Sequence, residues 1–186
     1  SRILPLPQDE VRFLFGCETE LNKFGTLGIS KKTIDKVDFV IIPTTHFHMT
    51  DYTLTTAQLE SPKTRAQAWI DRLDRVLNMD LPFHKFGIAH LTSGLIYRND
   101  TERLLETFDL IPEDEMHRLF AKAAKLGVGI ELNSLSMANA IKNTPFYFII
   151  PHLKDFVYIK SVFTQGEGFH ISTIFDNICT CDIKTV

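Results

Sequence analysis

The sequence predicts an α/β protein built on a parallel sheet or barrel. Three observations carry that expectation. Apolar strand-like runs alternate with amphipathic helical stretches along most of the chain, the pattern of βαβ units with right-handed crossovers. The run from Asp38 to Pro43 is continuously apolar and β-branched after its first residue, as in a strand covered on both faces. Finally, several runs end in carboxylates or imidazoles, and α/β proteins place their chemistry at the carboxyl ends of strands.

In chain order, Ser1 to Glu10 holds Pro5 and Pro7 and reads as an irregular lead-in. Val11 to Phe15 is strand-like, with the metal-capable Glu18 and Glu20 at or just beyond the strand's end. Asn22 to Gly28 carries two glycines and reads as a turn or hairpin. Ser30 to Lys36 reads as a short helix before the Asp38–Pro43 strand. Thr44 to Glu60 is polar and threonine-rich, a long loop of the kind that often carries function.

Ser61-Pro62 then marks a helix start, with serine as N-cap and proline in the first turn. Ala66, Trp69, Ile70, Leu73, Val76 and Leu77 follow at helical spacing, ending near Asn78. Phe86 to Leu91 is a strand with His90 near its end, and Thr92 to Asp100 is a loop. Thr101 to Phe108 is helical. A second helix starts at Pro112 and runs through Met116, Leu119, Phe120, Ala123 and Leu126, with Gly127 as its C-cap. Val128 to Asn133 is the next strand and ends in Glu131 and Asn133. Beyond it, Ser134 to Lys142 and His152 to Phe163 have helical spacing, and Phe169 to Phe175 reads as a fifth strand. With no repeat or low-complexity segment, residues 1–186 read as one domain.

Composition narrows the function. The 186 residues are 44% hydrophobic and 23% charged, enough for a sizeable core. The net charge of −3 and the absence of a Lys/Arg run predict no nucleic-acid partner. The longest apolar run, Phe146 to Pro151, is too short to cross a bilayer. Cys17, Cys179 and Cys181 do not form a disulfide framework, and a reducing cytoplasm is the expected setting. No Gly-x-Ser-x-Gly elbow, Walker loop or dinucleotide fingerprint is present.

What remains is a metal constellation. Glu18, His46 and His90 sit at or just past the ends of three strands, which converge on one face of a parallel barrel. One glutamate and two histidines suit Zn²⁺, Mn²⁺ or Fe²⁺. Taken singly, each has a plainer explanation as a solvated, capping or core residue. His48 shares a face with His46 only if that segment is extended. Glu131 and Asn133 face the same mouth, as substrate contacts, as supports of the ligands, or as structural hydrogen-bonding groups. His84, His117 and His152 read as surface or packing residues, and Cys179-Thr-Cys181 is a weak metal signal.

Four ordered stretches resemble the PHP family, the polymerase and histidinol phosphatase domains. They are Phe15-Gly-Cys-Glu18, Val37-Asp-Phe-Val-Ile-Ile-Pro-Thr-Thr-His46, Gly87-Ile-Ala-His-Leu91 and Gly127-Val-Gly-Ile-Glu-Leu-Asn133. The resemblance covers roughly residues 10–135. It implies a distorted (β/α)7 TIM-like barrel with a cluster of up to three metal ions, and hydrolysis of a small phosphoester with metal-bound water as nucleophile. It implies that Glu18, His46 and His90 share one metal.

There are departures. The family opens with a His-x-His strand, whereas the first histidine here is His46. The family closes its site near Gly-Ser-Asp-Ala-His. The nearest stretch here, Phe169 to Asp176, places Ile174 at the aspartate and Asp176 at the final histidine.

Three readings stay open. The chain is a piece of a longer PHP hydrolase; the Ser1 start and the low strand count favour this, and a missing first strand predicts an exposed sheet edge and self-association. Alternatively it is a degenerate, non-catalytic binding or scaffold protein, which Ile174 favours. The third reading is an unrelated barrel hydrolase with one catalytic metal.

Overall fold

The computed structural model describes residues 14–98 and 100–131. Four strands and four helices alternate: β1 (Gly16–Glu18), α1 (Lys31–Ile34), β2 (Phe39–Pro43), α2 (Pro62–Leu77), β3 (Phe86–Ala89), α3 (Thr101–Asp109), α4 (Glu113–Leu126) and β4 (Gly129–Ile130). Short 3₁₀ turns cover Thr56–Leu59, Phe83–Lys85 and Gly94–Ile96. The strands form one parallel sheet in the order β1-β2-β3-β4. Each strand pairs with its successor, so among the described residues the sheet shows no reversal of strand order of the kind that marks a doubly wound fold.

Register fixes which residues share a face. Cys17, Val40 and Phe86 lie in one row, and Glu18, Ile41, Gly87 and Gly129 in the next. The Cys17 face packs on the helices. Val40, Ile42, Phe86, Ile88 and Ile130 meet Trp69, Leu73, Met116, Leu119 and Phe120 in one core. Each large apolar side chain so buried contributes about 1.5–3 kcal/mol. Helix α2 packs against both α3 and α4, so the crossovers on either side of β3 lie on the same side of the sheet.

The helix ends follow from local chemistry. The Ser61 hydroxyl accepts from Thr64 N at 3.2 Å, and the Thr64 hydroxyl accepts from Ser61 N at 3.1 Å, with Pro62 opening α2. Helix α4 carries Glu113, Asp114 and Glu115 in its first turn, where the helix dipole favours anions, and stops at Gly127 with φ 72°.

Some elements differ from the sequence-based expectation. Among the described residues the ladder begins at Gly16, with Leu14 and Phe15 outside it; Val11 to Phe13 lie outside the described residues. The reason is Asp38, which ties Phe15 at both ends. Its carboxylate accepts from Phe15 N at 2.8 Å, and its own N–H donates to Phe15 O at 2.6 Å. Glu18 is the last residue of β1, at the strand's end.

The Thr44–Glu60 segment is a long loop, as expected, and its first half packs into the core. Phe47 and Leu54 are buried, and Thr53 Oγ1 donates to His46 O at 2.6 Å. Strand β4 stops at Ile130, although Glu131 N continues the ladder to Ile88 O at 2.8 Å. Asn133, the two C-terminal helical readings, the Phe169–Phe175 strand, Asp176, Cys179 and Cys181 lie outside the described residues. Among the described residues, no helix is long and apolar enough to cross a membrane.

Candidate metal centre

Glu18, His46 and His90 form a group that can hold a metal ion: one ligand atom from each lies within 4.8 Å of the others. Three different segments deliver them. Glu18 ends β1, His46 follows β2 by three residues, and His90 follows β3 directly. Parallel strands in register place all three ends on one edge of the sheet.

The two histidines are built alike. A Glu20 carboxylate oxygen lies 2.5 Å from Nδ1 of His46. A Glu131 carboxylate oxygen lies 3.2 Å from Nδ1 of His90. A carboxylate at Nδ1 draws the ring proton to that nitrogen and leaves the Nε2 lone pair for a ligand. The two rings stack with centroids 5.2 Å apart. Glu18 is exposed while His46 is buried and His90 half-buried, so the open side of the group is the Glu18 side.

The backbone under His90 is strained and tightly held. His90 has φ 64°, a left-handed conformation that costs a side-chain-bearing residue roughly 1–2 kcal/mol. Its N–H donates to Glu131 Oε2 at 2.8 Å, and its carbonyl accepts from Ser93 N at 2.9 Å and from the Thr45 hydroxyl. Strain held by several bonds at a cluster of ligating groups is a mark of a functional position. Glu131 thus grips both the ring and the peptide of one residue.

Charge follows the geometry. The hydrogen bond that the His90 ring donates to Glu131 raises its pKa above the ordinary value; burial opposes it, and the charges of Glu131, Glu18 and Glu20 add to the rise. His48 goes the other way: burial pushes its pKa down, helped by His46 and Arg98 and opposed by Glu20. The His48 ring sits edge-on to His46 at 5.2 Å. Its Nδ1, like Glu20 Oε2, is buried without a hydrogen-bond partner among the described residues.

The donor set fits a transition-metal ion. Bonds of about 2.0–2.2 Å keep two ligand atoms of one ion within about 4.4 Å of each other. The spread here, within 4.8 Å, is close to that limit. Among the described residues the group offers three protein ligands and an exposed side at Glu18.

Among the described residues, His84 and His117 do not join this group. His84 is exposed, and His117 pairs with Glu113 across 3.8 Å on α4. A shallow hollow of about 590 Å³, lined by Gly25, Asp71, Asp74, Arg75, Asn78 and Met79, contains none of the candidate ligands.

Sequence reasoning noted Glu20 as metal-capable but did not pair it with His46. Its signal was the Glu-x-Glu spacing after β1. The fold and site define a class, a parallel α/β protein with a candidate metal centre at the carboxyl ends of its strands. Comparison with family models, curated proteins and solved structures returned no match.

Proposed function

We propose that this chain is a metal-dependent hydrolase of the PHP type acting on a small phosphoester. One observation carries the reading: His46 and His90 each have a carboxylate at Nδ1, and Glu18 lies beside them. The four PHP-like stretches supply the glutamate and both histidines. We extend the proposal to the fold, as consecutive strands of a distorted (β/α)7 barrel. Its support is the one-directional strand order and an inner row of Glu18, Ile41, Gly87 and Gly129, small enough at two positions for a crowded interior.

In this reading His46 and His90 bind through Nε2, and Glu20 and Glu131 hold the rings at fixed angles. A divalent ion there (Zn²⁺, Mn²⁺ or Fe²⁺) supplies Lewis acidity and lowers the pKa of coordinated water. Glu18 stands on the open side. His48 stays mainly neutral at neutral pH because burial disfavours its charge, and it flanks the substrate. Arg98, exposed on the loop after β3, gives the mouth a positive charge suited to a phosphoryl group. A reducing cytoplasm is the setting proposed from the cysteine pattern.

The test is turnover of a generic phosphomonoester with and without added Mn²⁺ or Zn²⁺. Metal-dependent hydrolysis abolished by His90→Ala supports the enzyme. A chain that binds metal but shows no metal-dependent turnover is the non-catalytic binding protein instead. A group for just one ion among the described residues favours that second reading.

A further inference from the structure

Arg72 is a buried charge that the metal site does not use directly. It lies on α2 and is 5% exposed. Its Nε donates to Thr44 O at 2.6 Å, one terminal nitrogen to Thr53 O at 2.7 Å, and the other to Leu21 O at 2.9 Å. No carboxylate reaches it within 4.0 Å among the described residues. Burial pulls its pKa down to about 10, opposed by the charge of Glu20, so it remains a cation at neutral pH.

The three carbonyls are not arbitrary. Leu21 directly follows Glu20, and Thr44 lies two residues before His46. Thr53 holds His46 from the other side, its hydroxyl donating to His46 O at 2.6 Å. One planar guanidinium therefore grips the backbone on both sides of the Glu20–His46 pair. The fork geometry of arginine can serve three carbonyls at set angles, which a lysine ammonium on a flexible stem does not reproduce.

We propose that Arg72 is a positioning residue of the metal centre, locking the segments that carry Glu20 and His46 so that the imidazole meets the ion at a fixed angle. This rests on the metal-site reading above. Side groups that orient metal ligands are typically worth about tenfold to a hundredfold in affinity.

The test is titration of the metal-free protein with Co²⁺, reading both affinity and the visible absorption of the bound ion, for the parent, Arg72→Lys and Leu119→Ala. Leu119 is buried on α4 and serves as the stability control. Arg72→Lys is expected to bind Co²⁺ about tenfold or more weakly with a changed spectrum, while Leu119→Ala loses stability but keeps both. Arg72→Lys with parental affinity and spectrum overturns the Arg72 role while leaving the metal site standing. A parent that binds no Co²⁺ overturns both. If Arg72→Lys does not fold, Thr53→Val cuts the next link in the same chain, from the Thr53 that Arg72 holds to His46, since it removes the hydroxyl that donates to His46 O and, at 3.1 Å, to Met49 O. Weaker Co²⁺ binding supports the proposal, and parental binding overturns it.

Discussion

The carboxylate of Glu20 lies 2.5 Å from Nδ1 of His46, and that pairing is repeated at Glu131 and His90. Two imidazoles oriented the same way, from two different strand ends, are hard to explain by packing alone. In the proposed site each glutamate would fix a tautomer and an angle for one ligand group.

Removing the Glu20 carboxylate should weaken metal binding without unfolding the chain. Glu20→Gln is expected to lower Zn²⁺ affinity by about tenfold to a hundredfold, measured by competition with a chromophoric chelator. Unchanged affinity in a folded Glu20→Gln protein would show that the pair does not orient a ligand.

The raised pKa of His90 makes a prediction about pH. Unfolded histidine titrates near 6.5, and the folded ring holds its proton to higher pH. Its stabilising contribution is therefore complete below about 6.5 and fades as pH rises through the folded value. Urea midpoints of the metal-free protein should fall over that interval. The fall should be smaller in Glu131→Gln, because Glu131 is the main cause of the shift. A mutant slope equal to the parent's would assign the titration to another group.

The left-handed backbone at His90 separates ligand loss from strain. His90→Gly and His90→Ala remove the same imidazole, but only glycine adopts that conformation freely. His90→Gly is expected to be about 1 kcal/mol more stable than His90→Ala, measured by chemical denaturation without metal. Equal stabilities would mean the backbone at this position relaxes when the ring is removed.

The chain's sole tryptophan ties the core to this loop. Trp69 Nε1 donates to Leu91 O at 2.9 Å, one residue past His90, and the ring meets Phe120 edge-on at 6.4 Å. Trp69→Phe keeps an aromatic ring but strands a buried carbonyl. It should cost about 1–3 kcal/mol, read by thermal or urea unfolding. A loss well below that would mean water or a neighbour replaces the bond.

The parallel sheet and the four helices were legible in the sequence because their signals are local. Ser61-Pro62 and the apolar stripe through Leu77 specify α2, and Gly127 specifies the end of α4. The spacing of Glu18, His46 and His90 after strand runs brought the ligand group together. What was not legible depends on contacts distant in sequence. Asp38 delays β1 by capping Phe15, a contact across 23 residues. Arg72 falls three residues after Trp69, on the buried stripe, but polarity hides it from an apolar pattern. The partner of Glu20 is 26 residues away and is chosen by the packed turn around Thr53. Nothing in the Thr44–Glu60 composition announces that turn.

The most direct test of the account is the metal stoichiometry of the purified chain, compared with Glu18→Ala and His90→Ala, with circular dichroism to confirm folding. The account predicts a single Zn²⁺ or Mn²⁺ bound per chain in the parent and a large loss of affinity in each variant. Parental metal binding in both folded variants would contradict it.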